Sequence, residues 1–160
     1  MSGTAPWLSE ENRALATLLI ACHERCFSRP LLVAPDPARK EADPAERLYA
    51  AAHPVLAHDG AADPCLIYAN AAALTLWGHT WASMVGMPSR LTAEPSQQPD
   101  RAEALKQAQA REALEGYSGI RINRHGRRFR IEGARLWTLR VPDGPPCGQA
   151  AAFEHWSWLE

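Results

Sequence analysis

Tyr117-Ser118-Gly119-Ile120-Arg121-Ile122-Asn123-Arg124-His125-Gly126-Arg127-Arg128-Phe129-Arg130-Ile131-Glu132-Gly133 sets the architecture of the chain. Two strand-like runs, Ser118 to Asn123 and Arg128 to Gly133, flank a His-Gly pair. Gly takes left-handed backbone at no steric cost, and His tolerates it better than most residues. The segment therefore predicts a β-hairpin with His125-Gly126 as a two-residue type I′ turn. That register sets Asn123 opposite Arg128, Ile122 opposite Phe129, Arg121 opposite Arg130 and Ile120 opposite Ile131. Alternation then gives one face to Ile120, Ile122, Phe129 and Ile131, and the other to Arg121, Arg128 and Arg130. Like charges opposed across a ladder destabilise it. Solvent and acids such as Glu132, or those of the N-terminal helix, are one compensation; an anionic ligand or an acidic partner surface is the other. Exposed cationic faces are usually only solvated, which weighs toward the first.

Downstream, Ala134 to Arg140 extends or follows the second arm, Pro142 to Pro146 is a loop, and Gly148 to Trp156 reads as a final strand. Upstream the pattern is helical. Pro99 to Glu115 forms a helix ended by Gly116, with a thin apolar stripe of Ala102, Leu105, Ala108 and Leu114. Thr80 to Val85 ends at Gly86, and Ala71 to Trp77 ends at Gly78. Before these come two strands, His53 to His58 and Cys65 to Ala69, separated by a turn that begins at Asp59-Gly60. Asp43-Pro44-Ala45-Glu46 reads as N-cap, Pro at N1 and acid at N3 of a short helix. Residues 30–43, with Pro30, Pro35 and Pro37, read as a linker, and residues 1–8 as a loose terminus. Ser9 caps a helix over 9–27 whose Leu15, Leu18, Leu19, Cys22 and Cys26 recur at helical spacing. The expected organisation is an N-terminal helix and linker over 1–42, then one domain over 43–160. Two strands, several short helices and three strands make an α+β fold: a five-stranded antiparallel sheet with short helices on one face, plus the N-terminal helix.

Composition fits this. The 160 residues are 46% hydrophobic and 22% charged, as expected of one globular domain. The net charge of −1 gives no overall pull toward nucleic acid or membrane, although seven Arg and a single acid fall between Tyr117 and Arg140. Aromatic residues do not interleave with that patch as a base-stacking platform would, so no nucleic-acid partner is expected. There is no signal-peptide pattern and no apolar run that could span a bilayer, and the expected location is the cytoplasm, with no membrane partner. The four Cys then read as free thiols.

The strand and helix order is that of PAS domains, and at residue level the chain resembles the MEKHLA domain in its stand-alone bacterial form. The resemblance rests on His53-Pro54-Val55-Leu56-Ala57-His58, Asp63-Pro64 with Tyr68-Ala69-Asn70, and Trp77-Gly78. It continues in Pro88-Ser89-Arg90-Leu91, Tyr117 to Ile122, Gly126 with Phe129, Trp137, and Gly148-Gln149-Ala150-Ala151-Ala152-Phe153 with Trp156. It implies a PAS-like fold and a sensing or dimer-controlling role, as at the C-terminus of plant homeodomain–leucine zipper regulators. No homeodomain or zipper heptad lies within the 160 residues, so any output is expected to pass through a separate effector protein or a homodimer.

Flavin, haem and metal each meet an objection. Light-sensing PAS domains carry Gly-Arg-Asn-Cys-Arg-Phe; here the matching stretch is Gly86-Met87-Pro88-Ser89-Arg90-Leu91, with Ser89 in place of the reactive Cys. Arg121 and Ile131 stand where the flavin-binding Asn residues would lie. Haem PAS domains typically take an axial His from the long helix before the sheet, and Pro99 to Glu115 contains none. Cys22-His23-Glu24-Arg25-Cys26 lacks a second ligand pair for structural zinc, so both Cys read as core residues. No cofactor or metal is expected. No nucleophile elbow, Walker loop or zincin helix appears, so catalysis is not expected; an enzyme built on His58 or Ser89 would need a cleft pairing a base with a nucleophile.

The reading that remains is a sensor for an unidentified small organic ligand, an anion being one candidate. Its candidate ligand-binding residues are Asn70, Ser89, Arg90, Tyr117, Arg121, Trp137 and Gln149. The weightier alternative for Asn70 is a cap on the following helix, and for Trp137 it is core packing. An Arg121 facing away from the helices would serve the opposite face. The alternative function is a ligand-free interaction module that dimerises through the 9–27 helix.

Overall fold

The computed structural model describes residues 5–33 and 43–159. Pro35 and Pro37 of the expected linker lie outside the described residues. Seven further elements precede the hairpin: α1 (Glu10–Phe27), α2 (Pro44–Ala50), β1 (Val55–Asp59), β2 (Leu66–Ala69), α3 (Ala71–Trp77), α4 (Trp81–Met84) and α5 (Gln98–Ala110). Then come β3 (Ala113–Ile122), β4 (Arg128–Leu139), β5 (Gly148–Ala152) and β6 (His155–Trp158). All pairings are antiparallel, in the order β2-β1-β5-β4-β3, with β6 on β4. β6 continues the register of β5 along β4, so the single final strand read from sequence is one ladder interrupted at Phe153-Glu154.

Local chemistry explains most boundaries. The Ser9 side chain accepts from the Asn12 N–H at the start of α1. Asn70 caps α3 by accepting from Ala73 N–H, and Gly78, at φ 75°, closes it with left-handed backbone. Thr80 and Ser83 form a reciprocal cap on α4.

Helices cover both faces of the sheet. On the outer face, α1 lays Ala16, Leu19 and Cys22 on Val55, Ala57, Tyr68, Trp137, Leu139 and Ala150. The Trp137 indole N–H donates to the Leu19 carbonyl at 3.3 Å, and the Cys22 and Cys26 thiols donate to the Arg140 and Glu112 carbonyls. The apolar stripe of α1 is therefore buried on this chain's own sheet. His23 Nδ1–H donates to the Arg29 carbonyl, and its Nε2 accepts from Arg135 Nε–H at 2.9 Å. Arg135 in turn grips Glu154 with two bonds of 3.0 and 2.8 Å. On the inner face, α3 and α4 pack Leu74, Leu76, Trp77 and Met84 against Leu56, Phe129, Ile131 and Phe153, and α5 sets Ala104 and Ala108 on Leu136.

Three departures from the sequence reading matter. First, the hairpin register is shifted by one residue. Ile122 faces Arg128, Arg121 faces Phe129, Ile120 faces Arg130 and Gly119 faces Ile131. Asn123 causes the shift: its Oδ1 accepts from the N–H groups of His125 and Arg127, and its carbonyl accepts from Gly126 N–H. The result is a three-residue loop with Gly126 in left-handed backbone at φ 80°. A shift of one residue exchanges the faces of a strand. Arg121 thus joins Phe129 and Ile131 on the inner face and is 6% exposed, while Ile120 and Ile122 share the outer face with Arg128 and Arg130. Second, α5 stops at Ala110 because Glu112 turns left-handed at φ 70° and Ala113 already pairs with Trp137. Third, β4 is a single strand bulged at Gly133 (φ 63°), which returns Ala134 and Leu136 to the inner face after Ile131.

Candidate ligand cavity under α5

The inner face encloses a cavity of about 50 Å³ between β1, β5, β4 and β3 below and α5 above. His58, Gln149 and Arg121 contribute from the strands, and Arg101 and Leu105 from α5. Leu56, Leu66 and Leu136 form apolar walls, and Thr92 closes one end. His58 and Gln149 are directly opposed across β1 and β5. The same two side chains line a neighbouring, more polar recess of about 120 Å³, so they form the wall between it and the cavity.

Arg121 is oriented by its own strand. Its Nη1 donates to the Ile120 carbonyl at 3.0 Å and its Nη2 to the Tyr117 hydroxyl at 3.3 Å. The Tyr117 hydroxyl donates onward to Asp100 Oδ2 at 2.7 Å. Gly119 makes this possible, because a Cβ there would overlap the Tyr117 hydroxyl and crowd Arg121 Nη1. Both neighbours are the mobile ends of long side chains, so Gly119→Ala is expected to leave the fold intact and displace Tyr117 and Arg121. Unfolding should shift by no more than about 1 kcal/mol, while any ligand effect that depends on Arg121 falls away; paired melting curves with and without ligand check both.

The electrostatics of the cavity are one-sided. Among the described residues, neither Arg101 nor Arg121 forms an ion pair with a carboxylate. Burial, and then the Arg121 charge, lower Arg101 to about 10, which leaves it cationic at neutral pH. Burial also lowers His58, against the opposing effect of its bond to the Asp59 carbonyl. Nδ1–H of His58 donates to that carbonyl at 2.9 Å, and its buried Nε2 has no partner.

The seven expected ligand residues divide. Arg121 and Gln149 line the cavity, and Tyr117 holds Arg121. Gln149 is itself fixed by donating to the Leu105 carbonyl at 2.8 Å. Asn70 spends its amide on the protein: Oδ1 accepts from Val55 and Ala73, and Nδ2 donates to Leu48 and His53. Trp137 lies on the outer face beneath α1. Arg90 is exposed and pairs with Asp63 at 3.2 Å. Ser89 is buried with an unpartnered Oγ, outside the cavity lining; it and His58 make no hydrogen bond to each other. Arg101 was not singled out from sequence. Its signal is a cation in line with Leu105 and Ala108 on the apolar stripe of α5.

The sequence profile of the MEKHLA domain matches residues 13–158. The chain belongs to the MEKHLA domain family. The match begins within α1 and runs through β6, so it takes in both covered faces of the sheet. No curated protein matches this MEKHLA chain in sequence. Among solved structures it is similar to the PAS domain of a protein from Colwellia psychrerythraea, with TM-score 0.61 and 14% identity over 69% of this chain and 91% of the other. It is also similar to a light-oxygen-voltage domain studied with a flavin analogue, with TM-score 0.58 and 17% identity over 75% and 87% of the two chains. An RNA-binding light-oxygen-voltage receptor gives TM-score 0.58 and 21% identity, over 76% of this chain and 35% of that one. At these identities the likeness is one of fold: this MEKHLA domain has the PAS architecture.

The residues do not fit a flavin. The position matched to the photoactive Cys is the buried Ser89, and Arg101, Arg121 and Leu105 crowd the space under α5. A cavity of about 50 Å³ also falls well below the ~300 Å³ at which drug-sized ligand sites begin. No helix among the described residues is long and apolar enough to cross a membrane.

Proposed function

We propose that this MEKHLA domain is a cytoplasmic sensor module that binds a small organic anion in the cavity under α5 and passes the signal to a separate effector protein or through a homodimer. The fold, shared with sensory PAS domains, supports a signal-sensing role. One observation carries the ligand class: Arg101 and Arg121 meet in an apolar cavity with no carboxylate paired to either among the described residues. Two uncompensated guanidiniums in such surroundings cost stability, and an anion relieves that cost through charge-assisted bonds. Size sets the upper bound, since the cavity has room for a ligand of only a few heavy atoms. A ligand enclosed by α5 would couple to the rest of the chain through Asp100-Tyr117-Arg121, which ties the start of α5 to β3. Docking of α1 on its own sheet favours this reading over the ligand-free dimer through that helix.

Melting curves test it. Small carboxylates at about a hundred times their Kd should add about 2.7 kcal/mol, a shift of roughly 5–10 °C for a chain of this size. Arg101→Leu should abolish that shift and melt above the wild type without ligand, because it removes a charge that the protein leaves uncompensated. A lower unliganded melting point for Arg101→Leu, with the carboxylate shift intact, would assign the arginine to structure.

A further inference from the structure

We propose that the anion is a small α-hydroxy acid of the glycolate–lactate class, its carboxylate on Arg101 and Arg121, its hydroxyl donating to His58 Nε2, and its short carbon chain against the leucine wall. This rests on the anion reading above and adds the chemistry of the rest of the ligand. His58 supplies the first addition. A carbonyl can only accept, so the 2.9 Å contact with Asp59 places the proton on Nδ1 and leaves Nε2 with a lone pair. The residue is 7% exposed, lines the cavity, and has no partner for Nε2. A buried acceptor left open is costly, so a fitting ligand brings a donor to it.

Two common donors occur on small carboxylates, ammonium and hydroxyl. Ammonium would be a third cation beside Arg101 and Arg121, where like charges repel with little water to screen them. The hydroxyl is neutral and meets no such objection. Inorganic phosphate also offers an O–H and a negative charge. It is disfavoured by Leu56, Leu66, Leu105 and Leu136, against which its remaining oxygens would lie without partners. A methylene or methyl group suits that wall.

Isothermal titration calorimetry of the full chain near neutral pH tests the assignment with glycolate, both lactate enantiomers, acetate, propionate, glycine and inorganic phosphate. A hydroxy acid is expected to bind about tenfold more tightly than the matching unsubstituted acid, the worth of one buried hydrogen bond, and glycine more weakly than acetate. His58→Phe should erase the tenfold preference and keep acetate binding. His58→Gln, whose amide oxygen can accept, should retain part of the preference and serves if the phenylalanine variant fails to fold. Equal affinities for lactate and propionate, both lost in Arg121→Leu, would overturn the hydroxy-acid assignment and leave the anion reading standing. Phosphate binding ahead of every carboxylate would also overturn it. No heat with any anion would overturn both.

Discussion

Trp137→Ala is expected to lower the free energy of unfolding by about 3–5 kcal/mol, the range for a large aromatic removed from a core. Trp137 is fully buried between β4 and α1 and donates its indole N–H to Leu19. It meets His23 edge-on at 4.9 Å between ring centres and Phe27 at 6.1 Å. The alanine variant loses the area, the edge contacts and the donor to an α1 carbonyl together, and α1 cannot follow the sheet inward without breaking its other bonds. Trp156 is the control: it is 37% exposed and meets the buried Phe129 and the neighbouring Trp158 at the sheet edge. Its alanine variant should cost about 1 kcal/mol. Urea denaturation should show a large drop in midpoint for Trp137→Ala at nearly constant slope. A cost near that of Trp156 would mean that α1 is not an integral layer of the fold.

Acid is the second strong lever. His23 is fully buried, and burial first, then the Arg135 charge, hold it at about 4 against an ordinary 6.5. The folded state thus resists a proton that the unfolded chain accepts. Stability from this residue is complete above pH 6.5 and declines as pH falls from there toward 4. The loss totals about 3 kcal/mol at 1.36 kcal/mol per pKa unit. Protonation would set an N–H of His23 against the Nε–H of Arg135 and break the link that runs from α1 through Arg135 to Glu154. His53 and His58 are lowered by burial too and add loss of the same sign, so the wild-type slope is steeper than His23 alone would give. Subtracting the slope of His23→Gln isolates the residue: the variant should be less stable at neutral pH and should lose less between pH 6.5 and 4. Parallel slopes would contradict the burial of a neutral His23 beside Arg135.

Elements whose causes are local were legible in the sequence. Ser9, Asn70, Thr80 and Gly78 each end or begin a helix through a hydrogen bond or a left-handed residue within four positions of the boundary. The hairpin was legible as a hairpin, and its register was not. Asn123 offers an Oδ1 to two loop N–H groups, and that side-chain competition turns a two-residue turn into a three-residue loop. One position of slip was enough to send Arg121 inward, which changes it from a solvated cation into a wall of the cavity. The end of α5 was obscured for a different reason: pairing of Ala113 with Trp137, distant in sequence, overrides the helical pattern that continues to Glu115. The meeting of Arg101, Arg121, His58 and Gln149 depends on how α5 crosses the sheet, and no spacing within one segment encodes it.

The proposed function requires that the space between α5 and the sheet take an anion. X-ray data from crystals grown in sodium bromide, collected for anomalous scattering, test it most directly, because bromide is small, weakly hydrated and visible independently of the protein. An anomalous peak is expected in the cavity in contact with both Arg101 and Arg121, lost in Arg101→Leu. Bromide found only at the exposed Arg124, Arg127 and Arg130, with none under α5, would contradict it.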